Sequence, residues 1–234
     1  MKGFELFGGA HLIWLAVCAG YVIVWLIIQK LTAERHSAVF FRVSGVFALA
    51  LHLAETAWRI YDGSFGYDTL PLHLCALASY LAALSAISPA RFINTALFCP
   101  CLPGVISAML FPDWTMYPPF SFISAVGFLS HAATAAHIAV IMASGRFTPS
   151  MRDLPKSIIF EAGYAAAVIP LDIALGVNYG FLLRPVPGSP LMPLWDVSGG
   201  GIGYTALFAA AVLMITAVWY GIWAAGGKML RLNE

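Results

Sequence analysis

Apolar residues run through this chain in long windows separated by short polar breaks. Windows of ~20 such residues, the length that carries a helix across a ~30 Å hydrocarbon core, recur at 9–29, 39–60, 70–88, 93–112, 119–143, 157–178 and 202–225. The pattern predicts an all-α membrane protein built as a seven-transmembrane-helix bundle. No linker, charge block or repeat interrupts it, so residues 1–234 read as a single transmembrane domain. The first window starts close to Met1, contains His11 and lacks a small-residue cleavage site after a basic start, so it reads as a retained helix and not a removed leader.

Composition agrees with the pattern. With 61% hydrophobic and only 10% charged residues, the chain has too few polar side chains to cover a water-soluble globule of 234 residues. A formal net charge of +1 without a basic run argues against nucleic acid and leaves membrane lipids as the expected partners. Cys18, Cys75, Cys99 and Cys101 all fall within apolar windows, where a disulfide framework is not expected. Counting lysines and arginines by loop puts Lys30, Arg35, Arg42, Arg91, Arg146, Arg152, Lys156, Lys228 and Arg231 on one face, against Lys2, Arg59 and Arg184 on the other. The positive-inside rule then places the N-terminus outside and the C-terminus in the cytoplasm.

Two kinds of break modify the helices. Pro100, Pro103 and Pro170 lie inside windows and each removes a helical hydrogen bond, so kinks are expected there. Residues 179–201, YGFLLRPVPGSPLMPLWDVSGGG, are too rich in proline and glycine for helix and read as an outer loop with Trp195 as interfacial anchor. A loop of that length is also a candidate lid over an outward-facing pocket.

An ionisable side chain inside a span costs ~2.5 to 3.5 kcal/mol on insertion scales, so each one present needs a partner or a purpose. His52, Glu55 and Arg59 are spaced i, i+3, i+7 and share one helical face. Arg59 sits near the outer end of the second span, with Glu55 about 8 Å and His52 about 12 Å below that end. In the third span, Asp68 and Thr69 form the expected N-cap region, Pro71 falls in the first turn, and His73 comes within ~5 Å of the outer boundary. His11 enters at similar depth on the first span, Asp172 and Asn178 occupy the outer half of the sixth, and His131 lies near the middle of the fifth.

Taken singly, each histidine has a plain reading as a hydrogen-bonded core residue, and Glu55 with Arg59 as a structural ion pair. As a set they converge on the outer half of the bundle and favour a site. Imidazole and carboxylate together suit general acid and base chemistry, with the carboxylate fixing the tautomer. The same groups suit zinc, but no HxxxH spacing is present, so no metal is assigned and no cofactor is specified. Glu161 and Asn94 read as interfacial residues near the cytoplasmic ends, and His137, about 240° around the helix from His131, faces elsewhere. Cys75 and His73, two helical positions apart, lie about 200° apart, so a dyad within the motif is excluded and packing is the default for Cys75.

These residues carry a resemblance. PLHLC at 71–75, Asn94, LFPDW at 110–114, FSFISAVGFLSH ending at His131, GVNYGFLLRP at 176–185 with Tyr179, and the early His11 are similar to the YwaF-like family of bacterial seven-helix integral membrane proteins. The likeness extends from about 9 to 225 and implies a multi-pass protein of the bacterial cell (inner) membrane. A related eukaryotic branch is an acyltransferase of ether-phospholipid remodelling that uses a cysteine and a histidine. Its proline-cysteine-histidine motif falls over Pro71, Leu72 and His73, and its second histidine over His131. Leu72 therefore stands where that branch has its nucleophile.

The resemblance implies a lipid-modifying acyltransferase or acyl hydrolase with His73 and His131 as catalytic candidates, to which the convergence of polar groups in the outer half adds Glu55 and Asp172. His11, His52, Arg59, Asn178 and Tyr179 are the substrate-binding candidates. A small-solute transporter or binding protein, with kinked helices flanking the site, and a non-catalytic membrane scaffold are the alternatives. A retinal protein is excluded because the seventh span has no lysine, and a zinc-dependent ceramidase-like hydrolase because no span supplies HxxxH.

Overall fold

The computed structural model describes residues 3–32 and 34–231. Lys2, and the side chains of Arg35, Lys228 and Arg231 in the charge count, lie outside the described residues. The fold is all-helical, as the apolar windows require, because a chain in hydrocarbon must satisfy its backbone internally. In chain order the α-helices are α1 (Gly9–Leu31), α2 (Glu34–Tyr61), α3 (Leu74–Ile87), α4 (Arg91–Ala96), α5 (Leu102–Leu110), α6 (Phe122–Ala143), α7 (Leu154–Leu175), α8 (Met192–Ser198) and α9 (Gly201–Arg231).

Among the described residues, six segments are long and apolar enough to cross a membrane: Gly9–Leu31, Ala38–Tyr61, Arg91–Leu110, Phe122–Ala143, Met151–Leu175 and Gly201–Gly226. The third expected span departs from the pattern. Its α-helix has only 14 residues, with His73, not Asp68 or Thr69, at the N-cap. Pro71 lies ahead of that helix, and Asp68 and Thr69 belong to a short 3-10 turn in which the Thr69 hydroxyl bonds back to Gly66. Apolar periodicity could not show this boundary, because the residues before it are leucines and prolines that read equally well as helix.

The prolines act unequally. Cys99 is extended (φ −156°, ψ 123°) inside a widened turn over Leu97–Cys101, which separates α4 from α5 next to Pro100. Pro103 falls in the first turn of α5, where it interrupts nothing, and Pro170 lies within a continuous α7. Residues 179–201 also hold more helix than expected, namely a 3-10 turn at Tyr179–Phe181 and the short α8.

The centre of the molecule is α6, buried along most of its length and packed by α1, α2, α3 and α5. Its alanines at 132, 133, 135 and 136 let neighbouring backbones approach closely, which is how helices associate where water supplies no hydrophobic force. Trp14 of α1 stacks on Phe128 of α6 at 5.3 Å and donates its indole N–H to the Pro119 carbonyl at 2.6 Å. At the same end, the Phe4 N–H donates to the Thr115 carbonyl at 3.0 Å, tying the residues before α1 to the α5–α6 loop.

The opposite end is closed by charge. Asp153, fully buried, accepts from Arg91 Nε (2.8 Å) and Nη2 (2.6 Å) and from Lys156 Nζ (3.1 Å), so the starts of α4 and α7 are clamped together. Asn94 and Glu161, expected to be interfacial, are buried instead. Ser85 donates to Asn94 Oδ1 at 2.6 Å, and Thr216 of α9 donates to Glu161 Oε1 at 2.5 Å. His137 packs against Phe41 and pairs with Ser44 at 2.8 Å, away from His131.

Candidate functional site

A cavity of about 280 Å³ opens at the end where α2 finishes and α3 and α6 begin. Helix α2 brings His52, Glu55 and Arg59 to it from one face, and α6 brings Gly127, Ser130 and His131. The approach to α3 supplies Asp68, Leu70 and His73, and its first turns supply Cys75 and Ser79. The α5–α6 loop adds Asp113, Trp114 and Tyr117, and Phe181 completes the wall.

The electrostatics follow from these partners. Glu55 Oε1 receives Arg59 Nε at 3.0 Å and Nη2 at 2.9 Å, so the carboxylate is tied to its own helix. Arg59 Nη1 reaches the Tyr117 hydroxyl at 3.5 Å. His131 Nδ1 lies 2.6 Å from the Gly127 carbonyl. A carbonyl can only accept, so Nδ1 carries the proton and Nε2 presents its lone pair. That Nε2 and the Nε2 of His52 have no partner, although both residues are only 9% exposed, and the nearby Trp114 indole N–H is also unpartnered. Buried polar atoms are normally paired; open ones also occur at Gln29, Thr95, His137, Glu161, Asp172 and Trp219, but these three gather around one cavity.

His73 is held differently. The Gly180 N–H reaches its Nδ1 at 3.5 Å, the limit of bonding distance, a contact that favours the Nε2–H tautomer of the ring. Tyr179 and Phe181 flank the ring at 5.2 and 5.6 Å between centroids. The two imidazoles thus face the cavity with opposite preferences, one for offering a lone pair and one for offering an N–H.

The turn that holds His73 explains Asp172, Asn178 and Tyr179. Helix α7 ends at Gly176, whose left-handed backbone (φ 69°) sends the chain back across the helix end. Asp172 Oδ1 then accepts the Tyr179 N–H at 2.7 Å. Asn178 Oδ1 accepts from Leu183 N and Arg184 N at 3.0 and 3.2 Å. The Tyr179 hydroxyl donates to the Tyr67 carbonyl. Burial first, then the charges of Asp172 and Asp68, raise that phenol above its ordinary range and keep it a donor. Gly180 has φ 62°, and a Cβ there would collide with the Tyr164 hydroxyl, so only glycine fits.

Of the residues singled out from sequence, His52, Glu55, Arg59, His73 and His131 therefore line one cavity. Asp172, Asn178 and Tyr179 do not line it; they build the turn behind His73. Neither Asp172 nor Glu55 hydrogen-bonds His73, whose partner is the Gly180 amide. His11 lies apart, with the Phe7 N–H on Nδ1 at 2.9 Å and Nε2 donating to the Met109 carbonyl at 2.9 Å, and it braces α1 against α5. Among the described residues no group of His, Cys, Asp and Glu is arranged to hold a metal.

Cys75 changes most. Because His73 is an N-cap with ψ 140°, the 200° separation of two helical positions does not apply, and both residues face the cavity. Cys75 is the only cysteine on the cavity wall; Cys18, Cys99 and Cys101 are buried elsewhere. Leu72, in contrast, lines a separate apolar groove and not the cavity. Sequence reasoning also missed Asp113, Trp114 and Tyr117. The signal was LFPDW, an acidic residue beside a tryptophan in a short proline-bounded loop.

Compared with known proteins, the chain matches a family model. The model of the TMEM164 family matches residues 6–223. No curated protein and no solved structure matches the chain.

Proposed function

The chain belongs to the TMEM164 family, a family of transmembrane proteins, and from that premise we propose that it transfers or hydrolyses the acyl group of a membrane lipid within the cavity between α2, α3 and α6. One observation carries this reading: a single cavity gathers a thiol, three imidazoles and an arginine, and the Nε2 atoms of His52 and His131 in its wall are buried and unpartnered.

The roles are assigned from the side chains that share the cavity wall. His131 Nε2 takes the Cys75 thiol proton, and the sulfur attacks the ester carbonyl. His73 Nε2–H supports the developing oxyanion. The ester C–O bond breaks, the lipid alkoxide leaves with the proton held on His131, and a thioester remains. An acceptor hydroxyl or water then gives its proton to His131 and attacks the thioester, returning the thiol. Arg59, with one face bound to Glu55, and His52 bind the polar part of the lipid.

Seven segments cross the membrane in this reading, within a single domain. The 14-residue α3 covers about 21 Å at 1.5 Å per residue, and the non-helical stretch ahead of it supplies the remaining depth. Such backbone is tolerated within a membrane where it lines a polar cavity. The lysine and arginine distribution puts the cavity at the outer face of a bacterial inner membrane, with the N-terminus outside and the C-terminus in the cytoplasm.

The test is acyl transfer from labelled phospholipid to lysophospholipid and to water, with purified protein in vesicles. Wild type should form product, and Cys75→Ala should lose it while unfolding at the same temperature as wild type. Absence of product with wild type across the common phospholipid classes would overturn the reading. Full activity in Cys75→Ala would remove the thioester step.

A further inference from the structure

The apolar groove beside Leu72 has no part in that chemistry. It has a volume of about 340 Å³ and lies between the approach to α3, Phe92 of α4, and α7 from Ile159 to Val168. Its one polar side chain, Tyr164, has already committed its hydroxyl to the Leu72 carbonyl at 2.8 Å. Water inside would find almost nothing to bond, whereas hydrocarbon would lose nothing. Phe92 and Ile159 are exposed at its rim, so the groove is continuous with the apolar face that these membrane-crossing segments turn to lipid. Along α7 it extends about 14 Å at 1.5 Å per residue, parallel to the helix, which is also the run of lipid chains in a bilayer.

Its outer end meets the cavity. Leu72 and His73 are consecutive, the first lining the groove and the second the cavity, so the wall between apolar and polar compartments is one residue thick. We infer that the groove holds one acyl chain of a membrane lipid whose polar part enters the cavity over the Leu70–Pro71 edge. This rests on the lipid acyl-transfer reading and adds where the chain lies and what limits its length.

Gly163 offers the test. It lines the middle of the groove, and no atom comes within 4 Å of the position its Cβ would take. A Cβ there meets no neighbour, so a side chain can extend from it into the groove. In vesicles, Gly163→Phe should lower the preference for long-chain over short-chain phospholipid by at least about tenfold, with Gly163→Ala between it and wild type. A phosphatidylcholine carrying a diazirine near its chain terminus should label α7 between 159 and 168 in wild type and in Cys75→Ala, and lose that labelling in Gly163→Phe. Unchanged chain preference in Gly163→Phe, or labelling that avoids α7, would overturn the inference. If wild type shows the groove labelling but turns over no lipid, the catalytic reading falls and the groove stands as a lipid site.

Discussion

The Asp153 clamp and the cavity treat their buried polar groups in opposite ways. At the clamp between α4 and α7, the Asp153 carboxylate takes bonds from Arg91, Lys156 and Ser150, and both of its oxygens are occupied. At the cavity, Glu55 is similarly paired with Arg59, but His52, His131 and Trp114 are left open. A closed network spends its polar groups on holding helices together. An open one gains nothing for stability from its unpaired atoms, since each is desolvated without return. Its upkeep makes sense when a substrate supplies the missing partners.

Substitutions at the two sites should therefore separate activity from stability. The largest effect is expected for His131→Ala: acyl-transfer rate in the vesicle assay falls by about 10²- to 10⁴-fold, the usual contribution of a positioned base. Its thermal midpoint should fall far less than the rate, because the ring gives up one short hydrogen bond to its own helix, a long contact with Ser130 and its packing on Trp114. If rate and midpoint fall in step, the contrast between the two sites collapses. Arg91→Ala should do the reverse. Leaving Asp153 with fewer partners costs about 2–3 kcal/mol, read as a lower unfolding midpoint in detergent, while the folded fraction keeps its specific activity.

Gly180→Ala sharpens the comparison from a third side. It acts on the turn that presents the N–H to His73, and the positive φ together with the Tyr164 collision should cost about 1–2 kcal/mol. Activity should fall more than stability does, and restoring room by Tyr164→Phe should recover part of it. The smallest change is expected for Tyr117→Phe. Its hydroxyl meets Arg59 only at the limit of bonding distance, so loss of less than about 0.5 kcal/mol of stability is anticipated from equilibrium unfolding.

Much of the architecture was legible because membrane burial writes itself into composition. Long apolar windows mark α1, α2, α6, α7 and α9, and the i, i+3, i+7 spacing of His52, Glu55 and Arg59 marks a face that does line the cavity. The start of α3 was not legible, since Leu70, Pro71 and Leu72 satisfy an apolar pattern whether helical or extended. That single ambiguity hid that Cys75 and His73 line one cavity. Asp172 carried an ionisable group at a fitting depth, but depth does not say which way a carboxylate turns. The Gly176 reversal brought a backbone N–H to it first. His11 shows the same limit, because its partners are carbonyl and amide groups of the backbone, which sequence spacing does not reveal.

The hydrogen bond from Phe4 to Thr115 ties the first described residues to the loop that carries Asp113, Trp114 and Tyr117. That makes the segment ahead of α1 a natural reporter position. An environment-sensitive dye attached there rides on one wall of the cavity, so its emission should follow lipid entry in real time, without a label placed among the reacting groups.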